Sequence, residues 1–534
     1  MKTFTKILAL LIVGIMMVLA IASCNGNTQQ TTTEKDQTEQ TTEAVTKATE
    51  TADVTTEVTT EETTTEEVTT PEETKQQAVQ EFDMSDVVLT FGLVSDVHIG
   101  DENRNASNKL RSALMQLQNK ADELGVTLDA IASTGDISNN GTVEQYTKFK
   151  DIYESVMGTD VPFVFTLGNH DAYTPLSTAF NVFTTDTYRK SMVDSSLMQL
   201  GDIHYVVNGV HFISVCASTY SSSNFSCAFS SKTKNWLDET LEQITTEDPN
   251  APVFVLLHCM IYDTAYGSNL EVYTSCCWYT KELTEILSQY PQVITLSGHL
   301  HFTVNDERSI MQNTFTSIGC GSTCYMAVMN GGYQGMSSVT VMADANDISN
   351  GLLFMVDSKG NVKVVRMDFS NKSETKEPWV IPAPVEDKSH LSFYTADRKE
   401  NDNVAPVFGS GELIYFDDIM TNSKGYLPKI FWKAATDNDM VFLYEVTIKD
   451  STGKQLEKWK FLSDYYRVID AKDMKKEYSV QNRIAGGRLN FNEEYTITIV
   501  AYDCWENASE PVSITFTGNT DGEITVVSAT FADK

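Results

Sequence analysis

The sequence predicts a layered α/β domain followed by an all-β sandwich. Apolar strand-like runs alternate with helical periodicity from about residue 87 to 297, the pattern of sheets covered by helices. From about residue 405 only short alternating strands separated by turn residues remain, as in a sandwich. A length of 534 residues suits two or three domains, and 41% hydrophobic residues suffice for a sizeable core.

The N-terminus, "MKTFTKILALLIVGIMMVLAIASC", has Lys2 and Lys6 ahead of an apolar run from Ile7 to Ala22. Residues 1–23 read as a secretory signal peptide, too short for a comfortable membrane span. The end of the run, Ile21-Ala22-Ser23-Cys24, resembles the bacterial lipobox. That resemblance implies cleavage before Cys24, lipidation of its thiol, and an exported chain anchored at the outer face of a bacterial membrane. A plain signal peptide with an incidental cysteine and an uncleaved anchor are the alternatives. Residues 24–84 read as a disordered tether. Positions 25–80 contain 20 threonines and 11 glutamates and no aromatic residue, so no core can form there. A flexible chain of that length reaches on the order of 40 Å.

The α/β domain is assigned to 85–370. Its first strand is "VVLTFGLVSD" (87–96). A helix follows with Leu110, Ala113, Leu114, Leu117, Ala121 and Leu124 on one face and Gly125 as its stop. "LDAIAST" is a strand, "TVEQYTKFKDIYESV" a helix, "VPFVFTL" a strand. "YVVNGVHFISVCA" reads as a hairpin and "SKTKNWLDETLEQI" as a helix. "APVFVLLH", "TKELTEILSQY" and "QVITLS" then give strand, helix and strand. The domain closes on the hairpin "GLLFMVDSKGNVKVVRMDF", with Lys359-Gly360 at its turn. Residues 371–404 read as an irregular connection and 405–534 as the sandwich. Within it, "YTITIVAYDCWENASEPVSITF" resembles the final two strands of fibronectin type III or immunoglobulin-like modules.

The formal charge is −34, and about −36 once the two signal-peptide lysines are removed. Such a surface repels phosphate backbones and anionic lipids, which excludes a nucleic-acid scaffold role. Nine cysteines include Cys24; the other eight have no paired CxxC spacing, so no structural zinc site is expected, while export permits disulfides.

Polar residues recur just where the strands stop. Asp96-Val97-His98 ends the first, Gly135-Asp136 the second, and Gly168-Asn169-His170-Asp171 the third. His258 ends a later strand and Gly298-His299-Leu300-His301 the next. Five of the eight histidines stand at these tips, where ligand sites assemble in α/β sheets. Asp-x-His or Gly-Asp alone is weak, and a lone His258 would more often be a packed core residue. The ordered set is what carries weight.

This set resembles the calcineurin-like metallophosphoesterase family over roughly residues 87–370. The resemblance implies a four-layer fold, two packed β-sheets flanked by helices, holding two divalent transition-metal ions (Mn, Zn or Fe). Asp96, His98 and His301 would ligate one ion and Asn169, His258 and His299 the other, with Asp136 bridging. Carboxylate, imidazole and amide donors suit such borderline ions. A metal-bridging hydroxide would attack phosphorus in line. His170 would act near the leaving group as general acid or phosphate stabiliser, or alternatively only hydrogen-bond to the ligand residues, and the adjacent Asp171 would orient it. In purple acid phosphatases a tyrosine ligand follows Gly-Asp-x-x; Asn139 stands there in this chain, so a colourless enzyme is expected.

His204 and His211 read as structural, Met311, Met326 and Met336 as packing, and Trp278 as a buried side chain or pocket wall. Asn139 and Asn140 are read as pocket lining or as the turn before the helix. Cys259, next to His258 on a strand, is expected to face away from the site. The function expected is a cell-surface phosphoesterase acting on phosphodiester and/or phosphomonoester bonds of a small substrate. "GDISNNGTVEQY" followed by "GNHD" looks more like the cyclic-nucleotide phosphodiesterase branch than the protein phosphatases. The competing reading is a surface binding or adhesion protein with an inert phosphoesterase domain. The sandwich would serve spacing or packing, or contact the cell wall or glycans.

Overall fold

The computed structural model describes residues 82–221, 226–268, 280–329, 339–340, 345–402, 404–467, 474–481 and 488–531. The proposed signal peptide, Cys24, the tether, Cys276, Cys277, Trp278 and Met336 lie outside the described residues.

Two seven-stranded mixed sheets form the α/β part. The first contains β1 (Val87–Val94), β2 (Ala130–Ser133), β3 (Phe163–Phe165), and four later strands defined below. The second contains β4 (Met192–Asp194), β5 (Ile203–Val207), β6 (Val210–Ser214), β7 (Val253–Leu257), β8 (Val293–Ser297), β9 (Ile310–Gln312) and β10 (Thr316–Gly319), in the order β9-β10-β8-β7-β6-β5-β4. The chain returns to the first sheet with β11 (Asn350–Asp357), β12 (Val362–Asp368), β13 (Ser373–Glu374) and β14 (Trp379–Ile381), giving β13-β12-β11-β1-β2-β3 with β14 on β12. The strands β1, β2 and β3 run parallel, as do β6, β7, β8 and β10.

The sheets face each other across an aromatic core. The Phe91 ring lies 5.0 Å from that of Phe212, 4.9 Å from Phe254 and 4.5 Å from Phe354. Strand parity explains the layering. In β7, Phe254 and Leu256 join this inter-sheet core, while Val253, Val255 and Leu257 face outward beneath helix Ser231–Glu247. Cys259 falls in the same outer cluster, so it lies on the opposite side from His258. Sheets buried on both faces read as near-continuous apolar runs, as these strands do.

Helix α1 (Ala106–Leu124) buries Leu110, Ala113, Leu114, Leu117 and Ala121, and Gly125 ends it in the left-handed conformation (φ 72°). Helix α2 (Val143–Met157) starts where the Thr142 side chain accepts the Gln145 N–H, and α3 (Ser231–Glu247) where Ser230 accepts that of Thr233. The helix expected over "TKELTEILSQY" shrinks to Thr284–Leu287. Thr280 is held by its bridge to Ile261 and Pro291 blocks continuation at the other end; between them only Thr284–Leu287 closes into a helix.

The stretch 371–404 is not a loose connection. The strand β14 pairs with Val362–Val364 of β12. The Gln312 side chain accepts the N–H groups of Phe393 and Tyr394, and the Arg398 guanidinium donates to the carbonyls of Glu307 and Ile310. The segment is laced to the α/β layers because polar side chains of each meet the backbone of the other.

The C-terminal region consists of two antiparallel sheets. One contains β15 (Ile414–Asn422), β16 (Gly425–Lys433) and β19 (Glu477–Gln481). The other contains β17 (Val441–Asp450), β18 (Gln455–Leu462), β20 (Tyr495–Asp503), β21 (Val512–Gly518) and β22 (Ile524–Thr530), ordered β18-β17-β20-β21-β22. Inward residues of both sheets, among them Ile430, Trp432, Tyr444, Ile497 and Phe516, form a separate core. This region and the α/β layers belong to one compact unit. A buried cluster joins Met326, Val328 and Ile348 to Met440, Phe442, Leu443, Tyr465, Tyr466 and Trp505.

Candidate metal centre

Parallel strands bring their C-terminal ends to one edge, and polar side chains collect there from both sheets. Asp96 and His98 follow β1, Asp136 follows β2, and Asn169 and His170 follow β3. His258 follows β7, and His299 and His301 follow β8. Asp96, His98, Asp136, His299 and His301 all have left-handed backbones, with φ of 50°, 50°, 48°, 70° and 55°. Such conformations cost of order 1–3 kcal/mol each and persist where the surroundings over-determine them.

Three groups of donors converge, each with ligand atoms within 4.8 Å of one another: Asp96–His98–His301, His98–Asp136–His170 and Asp96–Asp136–His258. His98 Nε2 is 3.3 Å from His301 Nε2, which is 3.1 Å from Asp96 Oδ1. His258 Nε2 is 3.4 Å from Asp136 Oδ2 and 3.0 Å from Asn169 Oδ1. The His299 ring lies 5.1 Å from that of His258, and the His299 N–H donates to the Asp96 carboxylate.

Backbone carbonyls orient the imidazoles. Nδ1 of His258 donates to the Thr134 carbonyl, Nδ1 of His301 to that of Tyr325, and Nδ1 of His170 to that of Asn139, each at 2.9 Å. With Nδ1 so engaged, each ring turns its Nε2 toward the centre. The side chain of Ser95 donates to Asp96, and the His170 N–H donates to Asp136 Oδ1 at 2.8 Å.

The electrostatics call for a cation. Burial pushes the carboxyl of Asp96 up, but His301 and His258 outweigh it and hold it down at about 2. Asp136 is likewise driven well below the carboxylate range, against burial, by His258, His170 and His98. Burial opposes protonation of His258, yet Asp136 and Asp96 raise it to about 10. Burial keeps His98 and His299 neutral, down at about 3. Two buried carboxylates thus demand positive charge, and the imidazole nitrogens crowded beside them demand a shared partner. Divalent ions satisfy both demands, so the donor set fits the metals that the motif implies.

Asp171 does not orient His170. Its carboxylate accepts the N–H groups of Ile137, Ser138 and Gly168 and the hydroxyls of Ser138 and Tyr146. A single 3-10 turn, Asp171–Tyr173, carries it away from the histidine and into the loop after β2. The carbonyl of Asn139 takes the orienting role instead. Sequence reading also missed Tyr325, whose ring lies 4.1 Å from that of His301 and beneath the Arg104 guanidinium at 4.3 Å. Asn140 serves the turn, its N–H bonded to Gln145 Oε1.

Residues 89–302 match the family model of the calcineurin-like phosphoesterases. The chain is 24% identical over 240 residues to a 3′,5′-cyclic-nucleotide phosphodiesterase of Nostoc sp., covering 44% of this chain and 79% of that protein. It is 27% identical over 215 residues to the "Probable glycerophosphodiester phosphodiesterase GpdQ" of Arcobacter nitrofigilis, covering 39% and 70%. Among solved structures, purple acid phosphatase PPD1 from yellow lupin (Lupinus luteus) seeds aligns over 55% of this chain and 53% of that one, at a TM-score of 0.38 and 11% identity. The strand-tip constellation and the matched region together define a metal-dependent phosphoric ester hydrolase. Within that class, the chain carries a calcineurin-like phosphoesterase domain.

Proposed function

We propose that this chain is an exported, lipid-anchored phosphoesterase with a dinuclear metal centre, acting foremost on phosphodiesters. The observation that carries the reading is the convergence of Asp96, His98, Asp136, His258 and His301 donors at the ends of two sheets. Asp96, His98 and His301 would hold one ion, Asn169, His258 and His299 the other, and Asp136 would lie between. Bound there, divalent ions supply Lewis acidity toward a phosphoryl oxygen and lower the pKa of water at neutral pH. The preference for diesters is supported by two relatives whose names are those of phosphodiesterases.

His170 is the proton-transfer residue. Its Nδ1 is committed to the Asn139 carbonyl, so exchange takes place at Nε2. Its N–H bond to Asp136 Oδ1 ties its position to the carboxylate at the middle of the centre. Asp171, buried among five donors, holds the loops after β2 and β3 together.

Export and anchoring rest on the signal-like residues 1–23 and on Cys24, with the Thr/Glu-rich segment as spacer. Replacing Cys24 by Ala should release the chain from membranes into the medium; retention on membranes would end that part of the reading. Catalysis is tested with bis-p-nitrophenyl phosphate and p-nitrophenyl phosphate in manganese. Asp136→Asn should lose bound metal and activity together. His170→Ala should keep its metal and lose about 10²–10⁴-fold in rate. Full activity in His170→Ala would remove the acid assignment, and no turnover of either ester with metal bound would favour a binding protein.

A further inference from the structure

Beside the centre lies a cavity of about 650 Å³, within the roughly 300–1,000 Å³ typical of small-molecule sites. Asn169 forms part of its wall, so the cavity is continuous with the donor cluster. Tyr173, another wall residue, packs its ring 5.1 Å from the His170 imidazole. The remaining wall includes Leu176, Gln199, Ala217 and Tyr220, and among the described residues none that lines it is charged. The Tyr173 side chain is 62% exposed, so its ring is open to a ligand. The Tyr220 hydroxyl bonds the Leu167 carbonyl at 3.2 Å, which sets that ring as a fixed wall. The Arg104 guanidinium, on the Tyr325 side of the centre, is committed to Asp101.

We propose that this cavity is the leaving-group subsite and that it selects phosphodiesters whose departing alcohol is uncharged and ring-bearing, of nucleoside or aryl type. The inference rests on the assignment of His170 as the proton donor to that alcohol. Hydrolysis breaks the phosphorus–oxygen bond to the alcohol and forms one to the oxygen of a water. The departing oxygen takes a proton from His170 Nε2, the attacking water gives up a proton to solvent, and His170 regains one from solvent. An alcohol receiving its proton there extends from His170 past Tyr173 into the cavity. Two aromatic walls favour a flat apolar group. Gln199 and Thr219 offer neutral hydrogen-bonding groups. A second anion would lose hydration with no cation among the described wall residues to replace it.

The test uses a matched pair, methyl phenyl phosphate and methyl 4-carboxyphenyl phosphate, whose leaving phenols differ little in acidity. The manganese-loaded full chain should favour the uncharged ester by about tenfold or more in kcat/KM, chiefly through KM. Gln199→Arg should cut that ratio to below about threefold, and Tyr173→Ala should raise KM for the phenyl ester. Equal kcat/KM for the two esters, or a ratio untouched by Gln199→Arg, overturns the proposal. Should neither ester be hydrolysed with metal bound, the reading of the centre as a phosphoesterase fails first. Saturation-transfer NMR with the products phenol and 4-hydroxybenzoate then decides the cavity separately. Phenol binding lost in Tyr173→Ala supports the subsite; equal binding of both, or of neither, overturns it.

Discussion

Gly168 is required for space. An added Cβ would lie 2.6 Å from the Asp136 N and closer still to its carboxylate. A left-handed backbone is not the reason, since Gly168 is absent from the residues with positive φ. Gly298 meets the same limit against Asp96 Oδ2 at 2.6 Å; Gly135 combines it with a φ of 101°. Gly168→Ala should therefore push Asp136 out of register. We expect metal content measured by elemental analysis to fall and kcat/KM to drop about 100-fold, the scale of a 1 Å misplacement. Gly409→Ala, whose added Cβ would meet nothing within 4 Å, is the control and should change neither. Asp171 illustrates the opposite hazard of adjacency. Neighbours in sequence turn to different partners once a 3-10 turn intervenes, so its task was not readable from "GNHD".

At the scale of the element, the hairpin β5–β6 carries two opposed pH dependences. His204 Nε2 and His211 Nδ1 lie 2.9 Å apart on neighbouring strands. Burial, then His211, lowers His204 to about 4, with Asp194 and Glu247 opposing. Because the folded value is below the unfolded one, about 6.5, protonation favours the unfolded chain, and this stability is lost as pH falls from 6.5 through 4. Asp202, just before β5, is raised by burial to about 6, although Thr233 and the Cys216 N–H stabilise its charge. A raised carboxyl binds its proton more readily when folded, so it adds stability as pH falls from 6 toward the unfolded value near 3.9. Relative to the unsubstituted chain, His204→Gln should raise the urea midpoint on acidification from pH 6.5 to 4. Asp202→Asn should lower it over the lower part of that range. The same sign of change in both would show that burial does not set these values. The short helix Thr284–Leu287 belongs to this scale too. Its apolar spacing was legible, but the Ile261–Thr280 bridge that shortens it joins residues 19 apart and leaves no local signal.

For the whole molecule, the C-terminal sandwich is part of the packing that surrounds the centre. Asn305 donates to the Tyr465 carbonyl at 2.8 Å. The Arg308 guanidinium, paired with Asp306, lies 3.8 Å over Tyr266 and 4.6 Å over Phe442. Tyr266 in turn packs on Leu300 and Phe302, which flank His301. Phe442→Ala should cost about 3 kcal/mol, the lower end for a buried phenylalanine. Calorimetry should then resolve the single transition expected for the joined unit into two, with metal affinity weakened as the Tyr266–Phe302 contact loosens. One unchanged transition would mean that the two parts are coupled elsewhere. Cys216, Cys320, Cys324 and Cys504 are free and buried, so none of these four forms a disulfide holding the parts together.

The order of strands and helices, and which polar residues stand at the strand tips, could be read from the chain alone. Both are written locally, in apolar periodicity and in polar residues that interrupt it. It took the folded molecule to reveal that the tips of two separate sheets meet, that carbonyls of Thr134, Asn139 and Tyr325 aim the imidazoles, and that Tyr325 lies against His301. The folded molecule also reveals that 371–404 is bound to the first sheet and that the sandwich abuts the loop after β8. These contacts join residues far apart in the chain. A backbone carbonyl is the same whatever side chain it belongs to, so no residue type announces them.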